Sequence, residues 1–146
     1  MGRLDWRLDF DTIERLALAH PNWSIVLIGR VFSYEGVLQQ VAKLRTMPNV
    51  YLLGRREFQN LPQYVAHFDV CTIPYRIDES TNTMRIYKVC KYLAVGKPVV
   101  STDLFEMRVL GDVIRLAPSA EEFVRMVEEE LDRFGREATA ADRDCP

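Results

Sequence analysis

Residues 84–102 read Met84-Arg85-Ile86-Tyr87-Lys88-Val89-Cys90-Lys91-Tyr92-Leu93-Ala94-Val95-Gly96-Lys97-Pro98-Val99-Val100-Ser101-Thr102. Apolar side chains cover most of a helical circumference from Met84 to Ala94, so a largely buried helix is expected there. Gly96 lies just past its end, where a helix needs a residue free to turn left-handed. Pro98 to Ser101 follows as a short apolar strand. Only Arg85, Lys88 and Lys91 are charged within the helix; three residues apart, they form one basic stripe.

The same alternation extends in both directions. Asp11 to Glu14 reads as a capping box opening a helix with Ile13, Leu16, Ala17 and His20 on one face. Pro21-Asn22 ends it, and Ile25 to Ile28 is an apolar strand closed by Gly29. Val37, Leu38, Val41 and Leu44 form the next helical stripe, stopped by Pro48-Asn49 before the strand Val50 to Leu53 and Gly54. Leu61, Tyr64, Val65 and Phe68 mark a third helix, with Pro62 in its first turn, and Val70 to Ile73 a third strand. Tyr75 to Thr83 is polar and aperiodic, a loop. Beyond Ser101 come a helical turn at Glu106–Leu110, a strand at Val113–Leu116 and a helix capped by Ser119 and Glu122. Phe123, Met126, Val127, Leu131 and Phe134 line the core face of that helix.

Strands that alternate with helices and are apolar at every position predict a doubly wound α/β fold, a parallel sheet covered on both faces. Residues 1–134 are expected to form that domain and 135–146 a disordered tail. The series opens on a helix where a strand is expected, which points to an irregular start or to a first strand belonging to a longer chain.

Bulk properties narrow the function. The 146 residues are 48% hydrophobic and 27% charged, with a formal net charge of -2. That balance gives no basis for gripping nucleic acid, and no apolar run is long enough to span a bilayer. Cys71, Cys90 and Cys145 form no CxxC pair, so neither a disulfide frame nor a metal site is expected. Cys71 and Cys90 read as small core residues, and a cytoplasmic setting follows. His20 sits at a helix end and His67 reads as structural beside Asp69, leaving no nucleophilic triad; no GxGxxG or GxxxxGK[ST] loop is present.

In open α/β sheets ligands bind beyond the carboxyl ends of the strands. Two of the first three strands end in glycine followed by arginine, Gly29-Arg30 and Gly54-Arg55. Glycine admits a close backbone approach and arginine offers a planar fork for phosphate oxygens. Turn geometry alone also places glycine there, and the Arg85, Lys88, Lys91 stripe reads equally well as a solvated face.

Tyr92-Leu93-Ala94-Val95-Gly96-Lys97-Pro98-Val99-Val100-Ser101-Thr102 closely resembles a segment of the group 1 glycosyltransferases, which have the GT-B fold. Four further segments match in family order: His20-Pro21-Asn22-Trp23 leading to Ile25–Gly29, Pro48–Gly54, Leu61–Tyr64 with Phe68–Val70 and Pro74-Tyr75, and Val113–Ala117 with Glu122-Phe123. The resemblance covers about residues 2 to 131. It implies the C-terminal, donor-binding half of a two-domain enzyme with a Rossmann-like fold. Gly2-Arg3-Leu4-Asp5 resembles the segment just after that half's first strand, a strand near the sheet centre whose loss would cost stability.

The resemblance implies transfer of a sugar from a nucleotide-diphosphate sugar to a glycan, lipid or other acceptor, as in polysaccharide biosynthesis, with no metal or cofactor. A separate N-terminal domain would bind the acceptor, and any peripheral membrane association would run through that domain. Gly29, Arg30, Gly54 and Arg55 match donor-side loops, and Lys88 matches the family lysine. The residue preceding it by two, Ile86, replaces a family proline. Thr83 and Lys91 stand where the family has two glutamates eight apart. The second normally takes the ribose hydroxyls, and an ammonium cannot accept those hydrogen bonds. Arg30, Arg55, Arg85 and Lys88 are the cations expected to stabilise the leaving diphosphate. Lys91 also fits a non-catalytic nucleotide-binding or partner-docking module, and a nucleotide-sugar epimerase fragment is a third reading.

Overall fold

A computed structural model describes residues 1–82 and 87–143, with 136–143 given as helix backbone only. Five strands alternate with helices: β1 (Ile25–Ile28), β2 (Val50–Gly54), β3 (Cys71–Ile73), β4 (Val99–Thr102) and β5 (Arg115–Ala117). The helices are α1 (Phe10–Ala19), α2 (Glu35–Arg45), α3 (Leu61–Ala66), α4 (Glu79–Asn82), α5 (Lys88–Ala94) and α6 (Ala120–Arg143). Short 3-10 turns lie at Phe58–Asn60 and Phe105–Leu110. All strand pairs are parallel.

The two faces of the sheet can be read from β4. Neighbouring strand residues point to opposite faces. Val99 packs in one core cluster with Val89 and Tyr92 of α5, whereas Val100 packs in the other with Phe123 and Val127 of α6. Helices α5 and α6 therefore cover opposite faces, which is the doubly wound arrangement. At the start of α6 Ser119 Oγ accepts from the Glu122 N–H at 3.2 Å, and the helix runs on to Arg143.

Several expectations are corrected. The sheet is not continuous: β1 and β2 form one sheet, and β3, β4 and β5 another. The cap of α1 is Asp9 rather than Asp11; its carboxylate accepts from the Thr12 N–H at 3.2 Å and the Thr12 hydroxyl at 2.8 Å. The loop after β3 contains the single turn α4, nucleated where Asp78 Oδ1 accepts from the N–H groups of Ser80 and Thr81. Helix α6 passes through Gly135, so residues 135–143 are helical where a disordered tail was expected; 144–146 lie outside the described residues. Leu38, Cys90 and Val113 are exposed although each was assigned to an apolar stripe, core or strand position, while Cys71 is buried as expected; His67, read as structural, is exposed. Spacing fixes an angular position on an element, and the neighbour that covers it is set elsewhere.

The opening segment joins the two sheets at the carboxyl ends of their strands. Gly2 N–H donates to Ile28 O at 2.8 Å and Leu4 N–H to Arg30 O at 3.0 Å, so residues 2–4 extend along the end of β1. After a turn closed by the Asp5–Arg7 ion pair at 2.5 Å, Asp9 N–H donates to Pro74 O and Arg76 N–H to Arg7 O, each at 2.8 Å, beyond the end of β3. Burial raises the Asp5 pKa, but its hydrogen bonds and charge contact with Arg7 outweigh that and leave it lowered.

Candidate functional site

The site builds up from two glycines. Gly29 and Gly54, at the ends of β1 and β2, have φ of 152° and 71°, left-handed values open to glycine, and the Gly29 N–H donates to Gly54 O at 2.9 Å. A Cβ on Gly29 would lie 1.5 Å from the carbonyl oxygen of Gly2. The opening segment thus lies directly on the end of β1, and only glycine permits it.

Lys88 stands over this backbone contact. A Cβ on Gly2 would meet the Lys88 Nζ at 2.8 Å. The ammonium donates to Tyr75 Oη at 2.5 Å and to the Met1 carbonyl at 2.9 Å. Two aromatic hydroxyls therefore meet this corner, because the Met1 amine in turn donates to Tyr92 Oη at 3.1 Å. Burial, and secondarily Lys88, lowers that amine's pKa to about 5. Buried Tyr92 has its pKa raised, chiefly by desolvation.

The other cations have surroundings of their own. Arg30 and Arg3 both stack on Phe32, their guanidinium carbons 5.4 and 5.2 Å from its ring centre. Arg55 is exposed after Gly54, while its neighbour Arg56 turns back to donate to Tyr64 Oη at 3.0 Å. Lys91 lies over the ring of exposed Phe58, 3.9 Å from its centre. Among the described residues Arg30, Arg55, Lys88 and Lys91 make no ion pair with a carboxylate, whereas Lys43, Arg108, Arg115, Arg125 and Arg133 each do.

Gly29 thus bonds Gly54 and packs on Gly2, Lys88 reaches Gly2, and Arg30 and Arg55 each follow one of the strand-end glycines along the chain. Lys91 is instead engaged with Phe58. Thr83 and Arg85 lie outside the described residues. The sequence reading did not select Arg3, Phe32 or Tyr75 as site residues; Arg3 stands next to Gly2, and the match of Gly2–Asp5 to a strand-end segment was the available signal. No group of three or more His, Cys, Asp or Glu residues that could hold a metal occurs among the described residues, and none of the described helices is long and apolar enough to cross a membrane.

Comparison with known proteins identifies the family and the fold. The family model described as glycosyl transferases group 1 matches residues 4–132. The protein named as the teichuronic acid biosynthesis glycosyltransferase TuaH of Bacillus subtilis (strain 168) is 31% identical over 104 residues, 71% of this chain and 26% of that protein. The chain therefore spans about a quarter of the length of this curated relative. The crystal structure of Anabaena Alr3699/HepE in complex with UDP and glucose superposes with a TM-score of 0.59 at 20% identity, covering 88% of this chain and 37% of that one. AviGT4, a glycosyltransferase involved in avilamycin A biosynthesis, superposes with a TM-score of 0.61 at 15% identity, covering 98% and 49%. These likenesses establish the Rossmann-like fold of GT-B glycosyltransferases. With a family match over nearly the whole chain, the protein belongs to the group 1 glycosyl transferases.

Proposed function

We propose that the chain is the donor-binding portion of a glycosyltransferase and holds the diphosphate of a nucleotide sugar against the Gly29–Gly54 corner. The observation that carries this reading is that Lys88, held against Gly2, and Arg30 and Arg55, which directly follow the strand-end glycines Gly29 and Gly54, make no ion pair with a carboxylate among the described residues. A leaving diphosphate needs positive charge that is already in place when the glycosidic bond breaks. Guanidinium groups bind phosphate oxygens in pairs, and an ammonium held by Tyr75 adds a fixed point charge. The bound UDP of the HepE structure supports a uridine nucleotide as the first donor to test. The acceptor, a glycan, lipid or other molecule, would be held by a further domain.

The test is titration of UDP and GDP by calorimetry against the protein and its Lys88→Met and Arg55→Ala variants. Loss of one charge-assisted contact costs about 1.5–3 kcal/mol, or roughly ten- to hundredfold in affinity. Unchanged affinity in both variants, with thermal stability intact, would remove these cations from the site. A non-catalytic nucleotide-binding module is favoured by one observation, the Lys91 ammonium engaged with Phe58, since it cannot accept ribose hydroxyls. If Lys91→Glu tightens nucleotide binding, that second reading fails.

A further inference from the structure

A groove of about 700 Å³ lies where the first turns of α1 and α2 meet the loop after β3. Trp6 and Tyr34 line it and remain 42% and 54% exposed. The backbone under both rings is fixed. Trp6 lies in the turn that the Asp5–Arg7 ion pair closes, and Leu8 N–H donates to Asp5 O at 3.2 Å across the same turn. Tyr34 starts α2, its carbonyl accepting from the Leu38 N–H at 2.9 Å. Leu8, Phe10 and Val37 also line the groove and are buried, so its base is apolar.

The polar lining narrows the ligand. Asp11, Gln40 and Arg76 line the groove, and among the described residues their side chains form no hydrogen bond or ion pair. Asp9 lines it too, but its carboxylate is committed to the Thr12 N–H and hydroxyl. The free groups are thus one carboxylate, one carboxamide and one guanidinium. A phosphate would meet the carboxylates of Asp9 and Asp11, and a metal ion would meet Arg76. A purely apolar ligand would strip water from the polar groups and replace it with nothing. A neutral ligand with an apolar face and a belt of hydroxyls satisfies both sets, and a pyranose ring has that form. Its C–H groups carry partial positive charge and are drawn to the negative face of an aromatic ring. Its hydroxyls donate to a carboxylate, accept from a guanidinium and do either with a carboxamide.

We propose that this groove is a saccharide subsite that takes one pyranose unit against Trp6 and Tyr34, with Asp11, Gln40 and Arg76 on its hydroxyls. It is separate from the donor corner, since Gly29, Gly54 and Lys88 do not line it. It also adjoins that corner. Tyr34 N–H donates to Phe32 O at 2.8 Å, and Phe32 is the ring on which Arg3 and Arg30 stack. A glycan seated in the groove has the corner within reach along this segment, so the unit held here belongs to the acceptor, at a distance from its reacting end. That assignment to the acceptor rests on the donor-binding reading above; the saccharide site itself does not.

The test is a titration of the full chain with cellobiose, whose equatorial hydroxyls leave its ring faces flat, read by NMR at the tryptophan indole N–H signals. The chain has two tryptophans, Trp6 in the groove and Trp23 outside it, so the second signal is an internal reference. Cellobiose at about 10 mM should move the Trp6 signal and leave that of Trp23 in place. Glycerol at equal hydroxyl concentration, which offers no ring face, should move neither. Tyr34→Ala and Arg76→Ala change exposed side chains and should each weaken cellobiose about threefold or more, with Tm unchanged. UDP titrated against the same variants should bind as it does to the parent chain. Cellobiose binding without UDP binding would keep the saccharide site and remove the donor corner; UDP binding without cellobiose binding would overturn the saccharide site alone. An absent Trp6 shift, equal shifts of both tryptophans, an equal response to glycerol, or unchanged cellobiose affinity in both variants would each overturn the proposal.

Discussion

Gly29 and Gly2 touch through their backbones: a single methyl group added at Gly29 would fall 1.5 Å from the Gly2 carbonyl oxygen. With φ at 152°, Gly29 also holds a backbone conformation that other residues avoid. This contact seats the opening segment on β1, and through Met1 and Gly2 it positions Lys88. A structural requirement and the candidate site thus meet at one residue.

Gly29→Ala should destabilise the protein by about 3–5 kcal/mol, the range of substitutions that combine overlap with a strained backbone. Gly36→Ala is the matched control: it lies in α2, and a Cβ there meets nothing within 4 Å. That change should stabilise by about 0.5–1 kcal/mol, as alanine replaces glycine in a helix. Urea denaturation of the two variants checks both signs.

The buried Met1 amine makes stability depend on pH in a defined window. Its pKa falls from an ordinary value of 8.0 to about 5 in the folded chain. Between those values the unfolded chain binds the extra proton, so stability rises as pH increases from about 5 to 8, by up to about 1.4 kcal/mol per pH unit from this group. Acetylation of Met1, verified by mass, should flatten that part of the profile. An unchanged slope after acetylation would show that the amine is not the group responsible.

Asn49→Ala should cost about 1–3 kcal/mol, the penalty for stranding buried carbonyls. The Asn49 amide donates to Ala17 O at 3.0 Å and to His20 O at 3.1 Å, closing the end of α1 from the residue just before β2. The loss should appear as a lower urea midpoint with an unchanged slope.

His20, just past α1, contacts α6 and the segment leading into β1. Its Nε2 lies 2.6 Å from Glu128 Oε1, and its ring stacks on Trp23 with centres 3.6 Å apart and planes 8° from parallel. The contact with Glu128 is partly exposed and should contribute less than about 1 kcal/mol, with the aromatic contact adding about 0.5–1.5 kcal/mol. His20→Ala should therefore destabilise more than Glu128→Gln. Equal losses would assign the whole effect to the contact with Glu128.

Residues read singly were legible where one element decides its own fate. The run Ile25–Ile28 is β1 to the residue, because four apolar residues between Pro21-Asn22 and Gly29 leave little choice. Val99 and Val100 were legible as strand, and period two alone sends them to opposite faces. Less was legible of the helix cap: Asp9 and Asp11 both precede apolar residues, and only the hydrogen bonds to Thr12 distinguish them. Asn49 read as a helix stop, whereas its larger role is to satisfy carbonyls of a helix thirty residues earlier.

The amino-acid sequence by itself determined the alternation of parallel strands and helices, the glycines at the ends of β1 and β2, and the family to which those segments conform. Local spacing and backbone preference act over a few residues, and that range is enough for these features. Only the tertiary structure decided that Lys88 sits over Gly2, that Arg3 shares Phe32 with Arg30, and that β1 and β3 face each other across a cavity. Those relationships join residues far apart in the chain. They are set by which apolar faces bury one another and which peptide groups find partners, conditions that no short stretch of sequence contains.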